Sequence, residues 1–189
     1  MSDSVFGPTR HPDLVHRAVE IICRAGYLTL ATADSAGRPW AAQLQYAWFT
    51  SPLSLVFGSH VEARHSVDIA ASGRAAAAAS LLPGVRGGPD GLQVAGPCTA
   101  LGGAALELHA AAFYRQMYAD PGEARDHALS PEQLSGDAPL RLYELRVEEL
   151  WILDLDRWAK EQVSARVQVE SAAVEQALSD LNATEHAPR

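Results

Sequence analysis

One short segment, FGSHVEARHS, carries three side chains that are suited to bind an anion: Ser59, Arg64 and His65. An arginine guanidinium grips a phosphate with a planar pair of N–H donors. A histidine donates a hydrogen bond, more strongly when it is protonated, and a serine offers its hydroxyl. A helix that begins in this segment would add free backbone amides. The segment therefore predicts an anion site; the alternative is that Arg64 and His65 only decorate a solvated helix.

A second candidate is the strand pattern in GRPWAAQLQYAW, where residues of different character alternate. One face carries large residues that can fill a core, together with one alanine: Trp40, Ala42, Leu44, Tyr46 and Trp48. The other face carries small residues and two amides: Ala41, Gln43, Gln45 and Ala47. This period-two spacing is typical of a strand between two environments. A flat polar molecule can lie against the second face, unless that face is simply the polar side of a half-exposed strand.

Bulk composition limits the classes of function. With 189 residues, of which 48% are hydrophobic and 20% charged, the chain is long enough for one well-filled core. Its formal charge of -8 argues against a general nucleic-acid binder and against anchoring on anionic lipid. We find neither a run of about 18 apolar residues nor an apolar signal-peptide region. These features predict a cytoplasmic protein without nucleic-acid or membrane partners.

Motifs for metal or nucleotide chemistry are missing from the sequence. Cys23 and Cys98 are too far apart to predict a disulfide framework or a zinc site. His60 and His65 would lie on different faces of a helix, and HExxH and paired CxxC patterns do not occur. GxGxxG, Walker A and GxSxG motifs do not occur either. We therefore predict no metal site, and no obvious catalytic residue stands out.

The predicted elements alternate in a way that favours an antiparallel sheet. A helix is expected from an N-cap at Asp13 to Ala25, and another over 104–119. A short helix is expected over 59–72, and 120–138 should be irregular with one helical turn near 130–133. Strands are predicted at 27–33, 38–49, 53–58, 74–82, 92–101, 139–148 and 150–155.

Short links between these strands mean antiparallel pairing, and the economical arrangement is a small barrel with helices at its ends. The predicted fold class is therefore mainly β (α+β). We expect an N-terminal arm at 1–12, a barrel domain at 13–156, and a charged C-terminal tail at 157–189 with a possible helix over 170–182.

The order and spacing of five segments resemble the FMN-binding split-barrel superfamily, the pyridoxamine 5′-phosphate oxidase-like proteins. The segments are GRPWAAQLQYAW, FGSHVEARHSVDI, GLQVAGPCTAL, the helix that follows it, and LRLYELRVEELWILD. The resemblance is to the broad branches of the superfamily rather than to the vitamin B6 enzyme, whose arginine- and tryptophan-rich ending is not found here. It implies a six- to seven-stranded antiparallel split barrel with flanking helices.

The resemblance also implies positions for the cofactor. Ser59, Arg64 and His65 match the segment that binds the FMN phosphate, although His65 stands where the superfamily often has lysine. The strand of Gln43, Leu44 and Gln45 matches the place of the isoalloxazine ring, where backbone groups contribute most. Gln93 matches a glutamine that reaches FMN from the second subunit.

The implied function is a homodimeric FMN flavoprotein, expected to be an oxidoreductase acting on a small-molecule substrate. Two alternatives stay open on the sequence. Some split-barrel relatives bind haem, in which case His60 or His65 would be an axial ligand or its neighbour. The other alternative is a non-catalytic carrier of a flavin or of the deazaflavin F420, which some split-barrel branches prefer.

Overall fold

The structure, a computed structural model, describes residues 9–82 and 90–185. Its helices are α1 (Pro12–Arg24), α2 (Arg64–Ser72), α3 (Gly103–Met117), α4 (Pro121–His127), α5 (Leu155–Glu161) and α6 (Ser171–Glu185). Its strands are β1 (Tyr27–Ala33), β2 (Pro39–Gln45), β3 (Ala47–Phe49), β4 (Ser54–His60), β5 (Arg74–Leu81), β6 (Asp90–Ala100), β7 (Leu140–Arg146), β8 (Glu149–Leu153) and β9 (Arg166–Val169). One turn of 3-10 helix spans Glu132–Leu134.

The strands form one antiparallel sheet that curls into a barrel. Its hydrogen-bonded order is β2-β1-β5-β6-β7-β4-β3, and β8 and β9 extend it beside β6. The path starts on β2 and ends on β3, which are consecutive in the chain, so the sheet turns back on itself. This architecture confirms the predicted fold class, an antiparallel split barrel with flanking helices.

The long strand predicted over 38–49 is in fact two strands, divided at Tyr46. The first half pairs with β1 and the second half with β4. Tyr46 is buried at this division, and its hydroxyl donates a 2.8 Å hydrogen bond to the carbonyl of Ile22 in α1. The side chain that divides the strand thus also ties the barrel to α1.

A main core fills the barrel interior and extends to the helices packed against it. Strand β1 alternates regularly and points Leu28 and Leu30 inward. The apolar stripe of α1 joins the same core, as do Val174 and Leu178 of α6. The alanine-rich segment forms strand β5, as predicted, because Ala75, Ala77 and Ala79 face the core while the residues between them face outward.

A separate, smaller core lies between α3 and the barrel wall. Leu106, Ala110 and Phe113 of α3 pack against Val56 and Leu142 of the sheet. The spacing of the α3 residues is the helical spacing predicted from the sequence, and the helix is confirmed within one or two residues of its predicted ends. Helix α3 is therefore a structural cover of the barrel.

Strand β6 passes from one partner to another at Gly96. Residues before it pair with β8, residues after it pair with β7, and β5 runs along the other edge. A Cβ atom built on Gly96 would lie 1.9 Å from the carbonyl oxygen of Arg146. Only glycine allows this close approach of two backbones.

Helix α2 is shorter than the predicted segment because β4 continues to His60. The helix begins at Arg64 and ends at Ser72, and its C-cap is Gly73, whose φ of 67° places it in the left-handed region that favours glycine. It is fixed to the barrel by Asp68, which is buried and accepts a 2.7 Å hydrogen bond from the hydroxyl of Thr32 in β1. The start of α2 is thereby held beside the end of the β1–β2 hairpin.

The N-terminal segment and the interval 120–138 differ from the sequence predictions. The N-cap of α1 is His11, not Asp13, because Pro12 occupies the first helical position that proline favours. Residues 1–8 of the predicted arm lie outside the described residues, whereas Thr9 pairs with Val169 of β9. The interval 120–138, predicted as irregular with one helical turn, also contains helix α4, which Asp120 caps.

The segment after Asp154 contains more secondary structure than the single helix that the sequence predicts. Helix α6 corresponds to the helix expected over 170–182, but α5 and β9 were not predicted. Strand β9 pairs with β8, so part of the predicted tail is a strand of the same sheet.

Candidate functional site

The first turn of α2 presents backbone amides that no side chain of the N-cap residue binds. That residue, Ala63, cannot form a side-chain cap, and the first turn contains no acidic residue. The first amides of any helix lack partners inside the helix, and the helix dipole gives this end a partial positive charge. The start of α2 therefore favours an anion, provided that side chains complete the site.

Ser59 and His65 are brought into direct contact at this end of α2. The Oγ atom of Ser59, at the end of β4, lies 2.6 Å from Nε2 of His65. His65 is only 8% exposed, and burial lowers the pKa of its imidazole, an effect that the nearby carboxylate of Asp68 partly opposes. At neutral pH His65 is therefore an uncharged hydrogen-bonding group, not a second cation.

Arg64 supplies the positive charge of this cluster. Its guanidinium carbon lies 4.8 Å from the centre of the Trp40 ring, and its Nη2 atom is 3.5 Å from the carbonyl oxygen of Arg38. Among the residues that the structure describes, Arg64 forms no ion pair, whereas Arg38 is paired with Asp34. The planar cation thus stacks on an aromatic ring with its charge uncompensated.

Trp40 corrects one sequence prediction. The sequence pattern places it on the core face of a long strand, yet it is 42% exposed. Pro39, Trp40 and Ala41 are all exposed, because this end of the β1–β2 hairpin extends beyond the barrel core. Alternation of residue types cannot show where along a strand the core stops, so the aromatic partner of Arg64 was missed.

The three predicted ring-binding residues lie on β2 in different environments. Gln43 and Gln45 are exposed on the outer face, opposite Thr29 and Tyr27 of β1. The amide oxygen of Gln43 is 3.5 Å from the hydroxyl oxygen of Thr29. Leu44 points to the other side and packs against the main core, so only its backbone is placed to meet a ligand on the outer face.

Gln93 does not join the Ser59–His65 cluster within one chain. It lies in the same cross-strand row as Gln43, with Thr29 and Ala78 between them. Three strand spacings separate the two glutamines, about 14 Å. The side-chain oxygen of Gln93 accepts a 2.8 Å hydrogen bond from Nε of Arg166 in β9.

A groove of about 660 Å³ lies beside Gln93 on the outer face of the sheet. Strands β1, β5 and β6 form its floor, and α5 with the start of β9 forms its wall. Sequence reasoning missed this groove because α5 was not predicted. The signal was present: Asp154 caps the helix by accepting from the amide of Arg157, and Leu155, Trp158 and Ala159 follow helical spacing.

The described residues contain neither a cluster arranged to bind a metal nor a helix that could span a membrane. Among residues 9–82 and 90–185, no cluster of histidine, cysteine and acidic side chains has the arrangement of a metal site. None of the helices described is both long enough and apolar enough to span a bilayer.

Comparison with known proteins supports the fold. Neither a protein-family model nor a curated protein sequence matches the chain significantly. A haem-binding protein from Mycobacterium smegmatis superposes with a TM-score of 0.63 at 19% identity, covering 97% of this chain and 71% of that one. A pyridoxamine 5′-phosphate oxidase-related, FMN-binding protein from Nostoc punctiforme superposes with a TM-score of 0.51 at 16% identity, covering 87% and 90%.

A third structure with this fold is HutZ, a haem storage protein from Vibrio cholerae. It superposes with a TM-score of 0.53 at 18% identity, covering 75% of this chain and 93% of that one. These likenesses, at such low identity, concern the fold. The chain has the split-barrel fold, and the resemblance seen in the sequence is confirmed at that level.

Proposed function

We propose that the protein binds FMN, with the terminal phosphate at the start of α2. The observation that carries the proposal is the uncompensated guanidinium of Arg64 beside the uncapped first turn of α2 and the Ser59–His65 pair. A phosphate would accept from the arginine fork, from helix amides and from a hydroxyl at one place. Because His65 is neutral, it would bind the phosphate through a hydrogen bond. It would not supply the positive charge of the lysine that the superfamily often has at this position.

The outer face of β2 is the proposed seat of the flavin ring. Gln43 and Gln45 offer amide groups there. The strand lies at the end of the sheet path, so some of its backbone N–H and C=O groups are not paired with another strand and can bind a ligand. Trp40 adds an exposed aromatic surface next to the proposed phosphate site. FMN is a ring and an anion joined by a flexible chain, and this site offers a partner for each end.

The protein is further proposed to act as a cytoplasmic homodimer. Alanines on the outer faces of β1, β2 and β5 leave a smooth exposed surface there: Ala31, Ala33, Ala41 and Ala76. A second copy on this face would bring its Gln93 toward the ring, as the superfamily resemblance implies. Bound flavin would supply the redox chemistry of an oxidoreductase, while the protein holds the phosphate and covers one ring face.

Haem is the competing cofactor, and the local geometry of the two candidate histidines favours FMN. His60 accepts a hydrogen bond from the amide of Glu62 at Nδ1, which puts the proton of the neutral ring on Nε2. An iron ligand at Nε2 needs the opposite tautomer. Nε2 of His65 is engaged by Ser59, so either histidine would have to give up a contact to bind iron.

The test is the absorption spectrum and the FMN affinity of the purified protein. We expect a flavin spectrum, and we expect Arg64→Ala to weaken FMN binding about 10- to 100-fold, the worth of charge-assisted hydrogen bonds to phosphate. Arg157→Ala is the matched control, because it removes an exposed arginine from α5 and should leave the affinity unchanged. A Soret band, or equal affinity of the Arg64→Ala variant, would count against the proposal.

A separate measurement addresses catalysis. Anaerobic addition of NADH or NADPH should bleach the flavin absorption if the protein is an oxidoreductase. A flavin that stays oxidised with both donors would identify a carrier, as would the same result with the deazaflavin F420 in its place.

A further inference from the structure

Two buried hydroxyl groups have no hydrogen-bond partner among the residues that the structure describes. They are Oγ of Ser54, at the start of β4, and Oγ of Ser66, in the first turn of α2. The two residues are 0% and 2% exposed. A buried hydroxyl of this kind has given up its hydrogen bonds to water without replacing them, so each one needs a physical reason.

The hydroxyl of Ser66 differs from the other buried polar groups of α2. His65 and Asp68 are buried on the same helix, and each has a partner on the barrel: Ser59 for the imidazole and Thr32 for the carboxylate. A serine in a helix can also donate to the carbonyl four residues before it, but Ser66 does not. Its hydroxyl therefore keeps its full capacity to donate and to accept a hydrogen bond.

The position of Ser66 turns this hydroxyl toward the start of α2. Ser66 is the third residue of the helix, and the first amide bonded within the helix is that of Val67, which donates to the carbonyl of Ala63 at 3.0 Å. The amides of Arg64, His65 and Ser66 come before that bond and have no partner inside the helix. Because Cα–Cβ bonds in a helix tilt toward its N-terminus, the side chain of Ser66 lies over the turn that carries these amides.

We propose that Ser66 is a further phosphate-binding residue, whose hydroxyl donates to the anion that caps α2. This role rests on the proposed function and assigns the site to a phosphomonoester. Such a group has three oxygen atoms to share among the arginine, the helix amides and the serine. Arg64 is exposed and would hold the phosphate from the solvent side, whereas Ser66 is buried and would hold it from the barrel side.

Replacing Ser66 should affect the free and the loaded protein in opposite directions. Ser66→Ala removes a buried polar group that has no partner, so the free protein should unfold at a higher urea concentration. The same change removes a donor to a charged phosphate, so FMN should bind about tenfold more weakly or worse. Riboflavin, which lacks the phosphate, should bind to the variant and the wild type equally.

Ser54→Ala is the matched control, because it removes the other unpartnered hydroxyl at the far end of β4. Ser54 and Ser59 lie five residues apart on this strand, a distance of about 17 Å. The control should also raise the urea midpoint of the free protein, but it should leave the FMN affinity unchanged.

The measurements are fluorescence titrations of the whole chain with FMN and with riboflavin, and urea unfolding without ligand. Equal FMN affinity in Ser66→Ala and the wild type would overturn the proposal, as would an equal loss in Ser54→Ala. A lower urea midpoint for Ser66→Ala would also overturn it, because the hydroxyl would then have a partner in the free protein. A wild-type chain that binds no FMN would overturn the proposed function itself, so the two failures are distinguishable.

Discussion

Arg17 of α1 and Asp90 of β6 form a buried two-point ion pair. Nε and Nη2 of the arginine donate to the two carboxylate oxygens at 2.9 and 2.7 Å, and Nη2 also donates to the carbonyl of Leu153 in β8. The two side chains are only 8% and 1% exposed. One guanidinium thus joins three elements, and Asp90 is also one of the residues that line the groove.

Breaking this pair should destabilise the fold strongly. Arg17→Met leaves the Asp90 carboxylate buried without its partner, and we expect a loss of about 3–5 kcal/mol in the free energy of unfolding. The measurement is urea denaturation followed by circular dichroism. The matched control is Arg24→Met on the same helix, whose exposed pair with Glu20 should be worth less than about 1 kcal/mol.

The double variant Arg17→Met/Asp90→Leu makes this test more specific. Replacing both partners removes the buried charges together, so it should recover most of the stability lost in the single variant. A double variant as unstable as the single one would show that packing of α1, and not the unpaired carboxylate, accounts for the loss.

The barrel was predictable from the sequence because its signals are local. The apolar run of β1 before its turn, the short alanine-rich segment between Gly73 and Pro83, and the glycine after α2 are features of neighbouring residues, and the structure confirms the strands and helix they indicated. The residues around the candidate sites depend on long-range placement instead. Nothing near Trp40 shows that it meets Arg64, and nothing near Gln93 shows that Arg166 reaches it from 73 positions along the chain.

Glu175 joins the C-terminal helix to the barrel, and its removal should loosen that contact. Its carboxylate accepts from the amides of Ser51 and Leu53 at 3.0 and 2.9 Å, at the turn between β3 and β4. Glu175→Ala leaves both amides without this acceptor, and we expect a loss of about 1–3 kcal/mol in the free energy of unfolding. Hydrogen exchange should show faster exchange of the Leu53 amide.

The control for this contact is Glu161→Ala, which removes an exposed glutamate whose partner among the described residues is Arg157 in its own helix. It should change the exchange of the Leu53 amide very little. Unchanged protection of that amide in Glu175→Ala would instead mean that α6 is held by its apolar residues alone.

Burial of His65 should make the protein less stable in acid. Its folded-state pKa is lowered by burial, so the unfolded chain binds a proton more readily than the folded protein does. The free energy of unfolding therefore falls as the pH drops below about 6.5, the ordinary histidine pKa, until the folded-state pKa is passed. Urea unfolding at pH 7.5 and 5.5 measures the difference.

His65→Gln isolates this contribution, because glutamine does not titrate and keeps an amide for Ser59. The variant should lose less stability than the wild type between the two pH values, whatever its stability at pH 7.5. An equal loss in both proteins would assign the acid sensitivity to other groups.

Alanine substitutions at Gly96 and at Gly58, compared with each other, test the geometry of the barrel. A methyl group on Gly96 would collide with the carbonyl oxygen of Arg146 at 1.9 Å, and this backbone atom cannot rotate away. The nearest atom to a methyl group on Gly58 is a side-chain carbon of Leu142 at 3.7 Å, an ordinary contact. We expect Gly96→Ala to cost about 3 kcal/mol or more in urea unfolding and Gly58→Ala less than about 1 kcal/mol. Similar losses in the two variants would mean that β6 does not pass from β8 to β7 as closely as described.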